Sequence, residues 1–400
     1  MKKVMFISFP ASGHVNASVN VCKELASRNV KVIYYTLEEH FYKFAGHENI
    51  EVRGFPENFK KYYYEKAAIS GKIMKSLVRI LHMVYSFTDI LMPFVIDEVE
   101  REKPDLIMGD ALSVYAKIIA RMKKIPLVLV FTFLIQTDPE NPKPPIPPGA
   151  IRSMLLNFPT FIDAMNIKNS INKKYGNFCD EPGDFLHHQD EFTIVTTSKE
   201  FQPKGHLFGD NVKFMGPTNV KHSTIPEVKD TIFVSIGTVQ SNNLIWDSCI
   251  NATRGMGYKV KLTFAGNKQN KVTLKDIPDN VTIYDNLTPD EYRDIISQSV
   301  LFISHGGINS VSDAILGMTP ILVIPGNDET VQMGQLVEKY RCGRMYAYKK
   351  IDEKKLREEI SRIINDSSTR SGLAAMRQSF LNSMGCKKVV DEMGKKFNLF

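Results

Sequence analysis

Short runs of consecutive apolar residues alternate along this chain with longer stretches in which apolar positions recur every three or four residues. Val4–Phe9, Lys31–Tyr35, Leu106–Met108 and Leu127–Phe131 are runs of strand length, and Val15–Arg28 and Ser113–Lys123 carry the helical spacing. Unbroken apolar runs belong to strands covered on both faces, and strand–helix alternation belongs to a parallel sheet flanked by helices. The alternation restarts at Thr231 with IFVSIGT, followed by Val260–Phe264, Val281–Tyr284, Val300–Ser304 and Ile321–Ile324. The pattern predicts an α/β protein of two doubly wound domains, 1–215 and 231–374. A linker over 216–230 falls in the stretch FMGPTNVKHSTIPEVKD, where Pro217 and Pro226 sit among polar residues.

Two segments break the alternation. Residues 59–96 read as inserted helices; from Phe59 to Ile80, six Lys/Arg face a single Glu65, with Tyr62, Tyr63, Tyr64, Met74, Leu77 and Ile80 interleaved. Such a stretch is either a partly solvated amphipathic helix or a surface that touches lipid headgroups or covers an apolar pocket. Asp138–Gly149, DPENPKPPIPPG, carries six prolines and reads as an extended loop, of the kind that can edge a binding cleft.

Composition narrows the class. At 400 residues with 43% hydrophobic and 24% charged positions, the chain can bury two cores without metals or disulfides. The net charge of +7 is spread along the sequence, which disfavours nucleic acid and suits an anionic small ligand or membrane surface. Five scattered cysteines without a CxxC pair point to neither a zinc site nor a redox dithiol, and to a reducing, cytoplasmic location. No run of eighteen apolar residues occurs, so no transmembrane helix is expected. GxGxxG after the first strand, DxD, HExxH and GxSxG are absent, which sets aside dinucleotide oxidoreductases, metal-assisted transfer and serine hydrolases.

Ser304–Ser310 reads SHGGINS, directly after the apolar run Val300–Ile303 and directly before a helical pattern. Paired glycines (Gly306, Gly307) let backbone approach a ligand, and a helix N-terminus offers N–H groups with partial positive charge, an arrangement suited to a diphosphate. Asn309 and Ser310 add side-chain donors, and His305 can donate to a phosphate oxygen. The run continues HGGINSVSDAILGMTPILVIPGNDET. It resembles the donor-binding signature of the family 1 glycosyltransferases, the UDP-glycosyltransferases that include bacterial macrolide and plant flavonoid enzymes. Their pattern is approximately HxGxNSxxEAxxxGxPxxxxPxxxDQ. His305, Gly307, Asn309, Ser310, Ala314, Gly317, Pro320 and Pro325 match it at the same spacing. Asp313 stands where the family has its ribose-binding Glu, one methylene shorter. Glu329 and Thr330 stand where it has the acid–Gln pair that holds the sugar hydroxyls. A threonine hydroxyl does not reproduce an amide's paired donor and acceptor.

The stretch FPASGHVNASVNVCKELASRNVKVIY resembles the family's first strand–loop–helix and its GHVNP element, with Ala17 in place of Pro. The resemblance implies His14 as general base, with Gly13 beside it near the donor. A side chain there sits where a strand ends and a helix begins, the edge at which open α/β sheets bind ligands. An imidazole, with an ordinary pKa of about 6.5, suits proton removal at neutral pH. Outside such a motif a lone histidine packs or caps. Asp110, in PDLIMGDALSVYAKIIAR, matches the acid that pairs with the catalytic histidine; capping of the helix 113–123 is its other reading. Thr238 in IFVSIGTVQ resembles an element near the diphosphate, or closes a simple turn. Base recognition is expected from backbone near Tyr284–Leu287, and Trp246 is expected to be structural.

The resemblance further implies the GT-B architecture, two Rossmann-like domains facing across a cleft, with the last helix, about 375–400, packing back on the N-terminal domain. It implies an N-terminal domain that binds a small hydrophobic acceptor such as a macrolide or polyphenol, shaped by residues 60–95 and 130–150. It implies a C-terminal domain that binds a UDP-sugar, UDP over dTDP, and a single inverting transfer of a hexose, glucose by family habit, with no cofactor and no metal. A monomer or weak dimer is expected. The rivals are a membrane-associated lipid glycosyltransferase, which touches membrane through residues 59–80, and a non-catalytic auxiliary protein of the same fold.

Overall fold

The computed structural model describes all residues except 68, 70–72, 74–75, 137, 141–147, 178–191, 219–224, 237–242, 268–269 and 348–350, and the side chains of 148–150 and 243. The chain forms two units, Met1–Thr218 with Ser383–Phe400, and Asn219–Asn382.

The first unit runs β1 (Lys3–Ile7), α1 (Ser12–Ser27), β2 (Lys31–Thr36), β3 (Ile50–Gly54), α2 (Glu57–Ala67), α3 (Leu77–Glu102), β4 (Leu106–Asp110), α4 (Val114–Lys123), β5 (Leu127–Phe131), α5 (Pro148–Leu156), α6 (Phe158–Tyr175), β6 (Phe192–Val195) and β7 (Val212–Phe214). The strands are parallel in the order β3-β2-β1-β4-β5-β6-β7. The sequence shows why β1 reads as an unbroken apolar run. Met5 and Ile7 face a core shared with Phe87, Leu91, Val114 and Ile118, while Val4 and Phe6 face another with Val15, Val21 and Leu25. Both faces of the strand are covered, so no polar alternation survives.

Helix α3 is long and apolar enough to cross a bilayer by length and composition. Its Val84, Phe87, Leu91, Met92 and Val95 are nevertheless buried in the first core. Arg53 ties it to the sheet, with Nη1 at 3.1 Å from the Tyr35 hydroxyl, 3.2 Å from Glu98 and 2.8 Å from Glu102.

The C-terminal helix Gly385–Phe397 closes the second face of this sheet. Val389, Val390 and Met393 are fully buried against α1, and Arg28 pairs with Asp391. The expected single helix over 375–400 is in fact two, because α1 is met only after the chain breaks at Asn382–Met384. The residues before that break form a helix of the second unit.

The second unit runs β8 (Thr231–Ser235), α7 (Asn243–Thr253), β9 (Lys259–Thr263), β10 (Val281–Tyr284), α8 (Pro289–Ser297), β11 (Ser299–Ser304), α9 (Ile308–Leu316), β12 (Ile321–Val323), α10 (Asp328–Lys339), β13 (Gly343–Met345), α11 (Glu353–Ile364) and α12 (Ser367–Leu381). Its parallel order is β10-β9-β8-β11-β12-β13. Thr288 starts α8 with a full capping box to Glu291, as the sequence TPDE dictates. Trp246 is buried with its ring edge-on to Phe264 at 5.3 Å, a core residue.

Four strands escape the sequence pattern. Each residue of β3 (IEVRG) is only half-buried, β6 and β7 are short, and β13 is three residues long with two of them polar or glycine. The proline-rich segment also differs from expectation at its end: Pro148 opens α5, since proline suits the first turn of a helix, and residues 141–147 lie outside the described residues. In each unit the strand order reverses direction once, between β1 and β4 and between β8 and β11. The C-terminal ends of those strands are where open α/β sheets bind ligands.

Candidate active site

His14 lies in the first turn of α1, just beyond β1, and Asp110 is the last residue of β4, the neighbouring strand. The reversal of strand order therefore brings them together. His14 Nδ1 is 2.7 Å from Asp110 Oδ2. Asp110 is buried, whereas the His14 side chain keeps 20% exposure, enough to meet a ligand. The other carboxylate oxygen accepts from the Leu112 backbone N–H at 2.9 Å. The two readings of Asp110 thus merge: it orders the backbone entering α4 and holds the histidine ring. A carboxylate only accepts, so Nδ1 carries the proton and Nε2 the lone pair.

The loop before His14 is pinned along its length. Ser8 donates to the Tyr35 carbonyl through both N–H (3.2 Å) and hydroxyl (2.8 Å), and Tyr115 donates to the Ser8 carbonyl at 2.7 Å. His40 Nε2 reaches the Pro10 carbonyl at 3.1 Å, and burial lowers its pKa, so it is a neutral donor. The Phe9 ring lies 4.9 Å from the His14 ring, centroid to centroid. Gly13 shares the first turn of α1, which no side chain caps. Sequence reasoning missed Thr132, directly after β5, whose Oγ1 lies 2.8 Å from His14 Nδ1 and 3.3 Å from Asp110 Oδ2.

In the second unit, β11 ends at Ser304 and α9 begins after the His305–Gly307 turn, with Gly307, which has no side chain to cap the terminus, as its N-cap residue. Gly306 has φ +92°, and a Cβ there would lie 2.8 Å from Val323 Cγ1 and 3.3 Å from the Thr330 carbonyl oxygen. At Gly307 a Cβ would lie 2.7 Å from His305 Nε2, so a side chain there would push that ring from its place. Burial pushes His305 down to about 4, against the Ser235 backbone, and its buried Nδ1 has no hydrogen-bond partner among the described residues. At neutral pH this imidazole is uncharged.

Asn309, Ser310 and Asp313 follow within the first two turns of α9, spaced to share one face. Ser310 Oγ is 3.1 Å from the Tyr292 hydroxyl, a second residue that sequence reasoning missed. Tyr292 is packed edge-on against Phe233 (5.3 Å), and burial pushes its hydroxyl up to about 12. Burial also pushes the Asp313 carboxyl up to about 7, with Arg293 opposing. The far end of α9 is gripped by Lys229, whose Nζ donates to the carbonyls of Gly317 (2.9 Å) and Met318 (2.8 Å) and to Thr319 Oγ1 (3.0 Å).

Glu329 is exposed in the first turn of α10. Thr330 differs from its expected part. It is buried, and its hydroxyl is committed to the N-terminal cap of α10, accepting from the N–H groups of Gly326 (3.0 Å) and Asn327 (3.1 Å), while Asn327 Oδ1 accepts from the Thr330 N–H at 2.9 Å. A hydroxyl so engaged is not offered to a sugar. Thr238 lies outside the described residues.

A family model described as the glycosyltransferase family 28 C-terminal domain matches residues 231–393. The chain is 28% identical over 403 residues to an uncharacterised UDP-glucosyltransferase of Bacillus subtilis (strain 168), covering 98% of this chain and 97% of that one. It is 23% identical over 393 residues to the demethyllactenocin mycarosyltransferase of Streptomyces fradiae, covering 94% and 82%. The fold matches the crystal structure of the calicheamicin glycosyltransferase CalG4 with a TM-score of 0.77 at 19% identity, over 99% of this chain and 98% of that one. With two parallel sheets of the GT-B type and the run from His305 to Pro325 beside these likenesses, the chain has the GT-B fold and is similar over nearly its whole length to bacterial glycosyltransferases.

Proposed function

We propose that this chain moves a hexose, glucose, from a UDP-sugar to a hydroxyl of a small hydrophobic acceptor, a natural product of macrolide or polyphenol kind, with inversion at the anomeric carbon. The observation that carries the reading is the 2.7 Å contact of His14 with Asp110 at the ligand-binding edge of the first sheet. The relatives' names, UDP-glucosyltransferase and mycarosyltransferase among them, support the donor and acceptor classes.

In this mechanism His14 Nε2 removes the proton of the acceptor hydroxyl. The acceptor oxygen attacks the anomeric carbon from the side opposite the diphosphate. The bond from that carbon to the phosphate oxygen breaks, and its electron pair leaves with UDP. Asp110 faces the imidazolium that forms and steadies its charge. Charge growing on UDP is met by the uncapped N-terminus of α9, with Gly306, Gly307, Asn309, Ser310 and neutral His305 as donors. Tyr292 holds Ser310 in place, Asp313 binds the ribose hydroxyls and Glu329 the sugar hydroxyls. Gly13 and Thr238 complete the donor contacts. Protein dipoles serve the leaving group, so the proposed reaction needs neither metal nor cofactor, and a cytoplasmic location belongs to the same reading.

Incubation of the protein with UDP-glucose and a panel of macrolides and flavonoids tests the proposal by the acceptor's gain of one hexosyl mass, and the product's anomeric coupling tests inversion. Absence of transfer alongside tight UDP binding favours the auxiliary-protein reading. A second reading, transfer to a lipid acceptor at a membrane, is favoured by exposed Ile151, Leu155, Leu156 and Phe158 on α5 and α6, beside exposed Arg152. The basic stretch of α2 supports it less, since Lys60 is paired with Glu38 (2.5 Å) and Glu57 (2.6 Å). Flotation with anionic liposomes separates the two: co-flotation supports the lipid acceptor, and none supports the soluble one.

A further inference from the structure

Thr132 is buried at 6% exposure, one residue beyond the apolar run of β5. A valine fits such a strand end equally well in shape, and a buried hydroxyl is costly unless it is bonded. Its hydroxyl has two partners among the described residues, His14 Nδ1 at 2.8 Å and Asp110 Oδ2 at 3.3 Å. Asp110 Oδ2 and Thr132 Oγ1 thus stand almost equally close to the single hydrogen on Nδ1, at 2.7 and 2.8 Å.

We propose that Thr132 is a positioning residue, whose oxygen shares the Nδ1–H of His14 with Asp110 while its own hydrogen turns to Asp110 Oδ2, so that the ring cannot swing about its bond to Asp110. The proposal rests on the glycosyltransferase reading above. One acceptor leaves an imidazole free to rotate about the line to that acceptor; two acceptors in different directions define its plane and thereby the direction of Nε2. The second acceptor also stabilises the imidazolium, because a charged donor bonds more strongly than a neutral one.

The other titratable groups near this pair are silent in the working range. Tyr34 and Tyr115 are buried and held far above the ordinary tyrosine value, and burial lowers His40, outweighing the opposing pull of the Pro10 carbonyl.

The test compares the wild type, Thr132→Val, Thr132→Ser and Thr132→Ala in the full chain, using UDP-glucose and an acceptor that the wild type glycosylates. Thr132→Val is expected to lower kcat about tenfold, equivalent to about 1.4 kcal/mol, with KM for both substrates unchanged, and to move the acid limb of the kcat/KM profile to lower pH. Thr132→Ser, which keeps the hydroxyl, restores both. NMR titration of the His14 ring, assigned with His14→Gln, is expected to show the same downward displacement in Thr132→Val and Thr132→Ala. A Thr132→Val enzyme within twofold of wild type with an unmoved ring titration overturns the proposal. So does a rise in donor KM with kcat and pH profile intact, which marks a sugar contact instead. If the wild type transfers no sugar at all, the glycosyltransferase reading fails, and the ring titration still decides the role of Thr132.

Discussion

Asp110 holds His14 Nδ1 with one carboxylate oxygen at 2.7 Å and the backbone N–H of Leu112 with the other at 2.9 Å. The same side chain therefore fixes the start of α4 and the protonation pattern of the histidine, and the two duties can be separated. Asp110→Asn keeps an acceptor for Leu112 but turns an NH2 group toward Nδ1, which forces the proton onto Nε2. A base with its lone pair facing the wrong way is expected to lose about 10²–10⁴-fold in kcat. UDP affinity by calorimetry and the melting temperature are expected to change little.

Asp313 predicts a pH dependence of stability. Its carboxyl rises from an ordinary 3.8 to about 7 because it is buried. Over that window the folded protein holds a proton that the unfolded chain has released, so stability falls as pH rises from about 4 to 7. His305 acts in the opposite sense: its folded value is about 4, and the stability linked to it is lost as pH falls from 6.5 toward 4. Asp313→Asn removes only the first effect. The melting-temperature difference between Asp313→Asn and wild type, without ligand, is expected to grow in the mutant's favour from pH 5 to pH 8.

Gly306 adopts φ +92°, and its missing Cβ would press on Val323 and the Thr330 carbonyl. Gly306→Ala must carry left-handed backbone strain of about 1–2 kcal/mol besides that contact. A lower denaturant midpoint and weaker UDP binding together are the expected outcome, because the same turn presents the N-terminus of α9.

Thr330 and Glu329 are neighbours with separable parts. Thr330→Val removes the hydroxyl from the α10 cap and is expected to cost about 1 kcal/mol in denaturant unfolding, with the ranking of UDP-sugars by kcat/KM unaltered. Glu329→Ala is expected to do the reverse, leaving stability intact while changing discrimination among UDP-glucose, UDP-galactose and UDP-xylose.

The sequence exposes those features whose cause is local. β1, β4, β5, β8 and β11 are legible because both of their faces are buried, and α8 is legible through Thr288 and Glu291. β3 and β13 are not, since half-buried edge strands need no apolar run. His14 and Asp110 are individually recognisable by motif, but their contact is made by the reversal of strand order between β1 and β4. Thr132 was invisible because its partner lies 118 positions away and a threonine after VLVF resembles any strand end. Thr330 carried a readable signal, an Asn three residues earlier at a helix start, which the match to the sugar-binding pair overrode.

The central claim, a histidine base that deprotonates the acceptor for attack on a nucleotide-sugar donor, is tested most directly by the ratio of sugar-transfer rates of wild type and His14→Ala with UDP-glucose and an acceptor that the wild type glycosylates. The account predicts a fall of at least about 10²-fold in the variant, with UDP binding retained. Equal rates in the two proteins would contradict it.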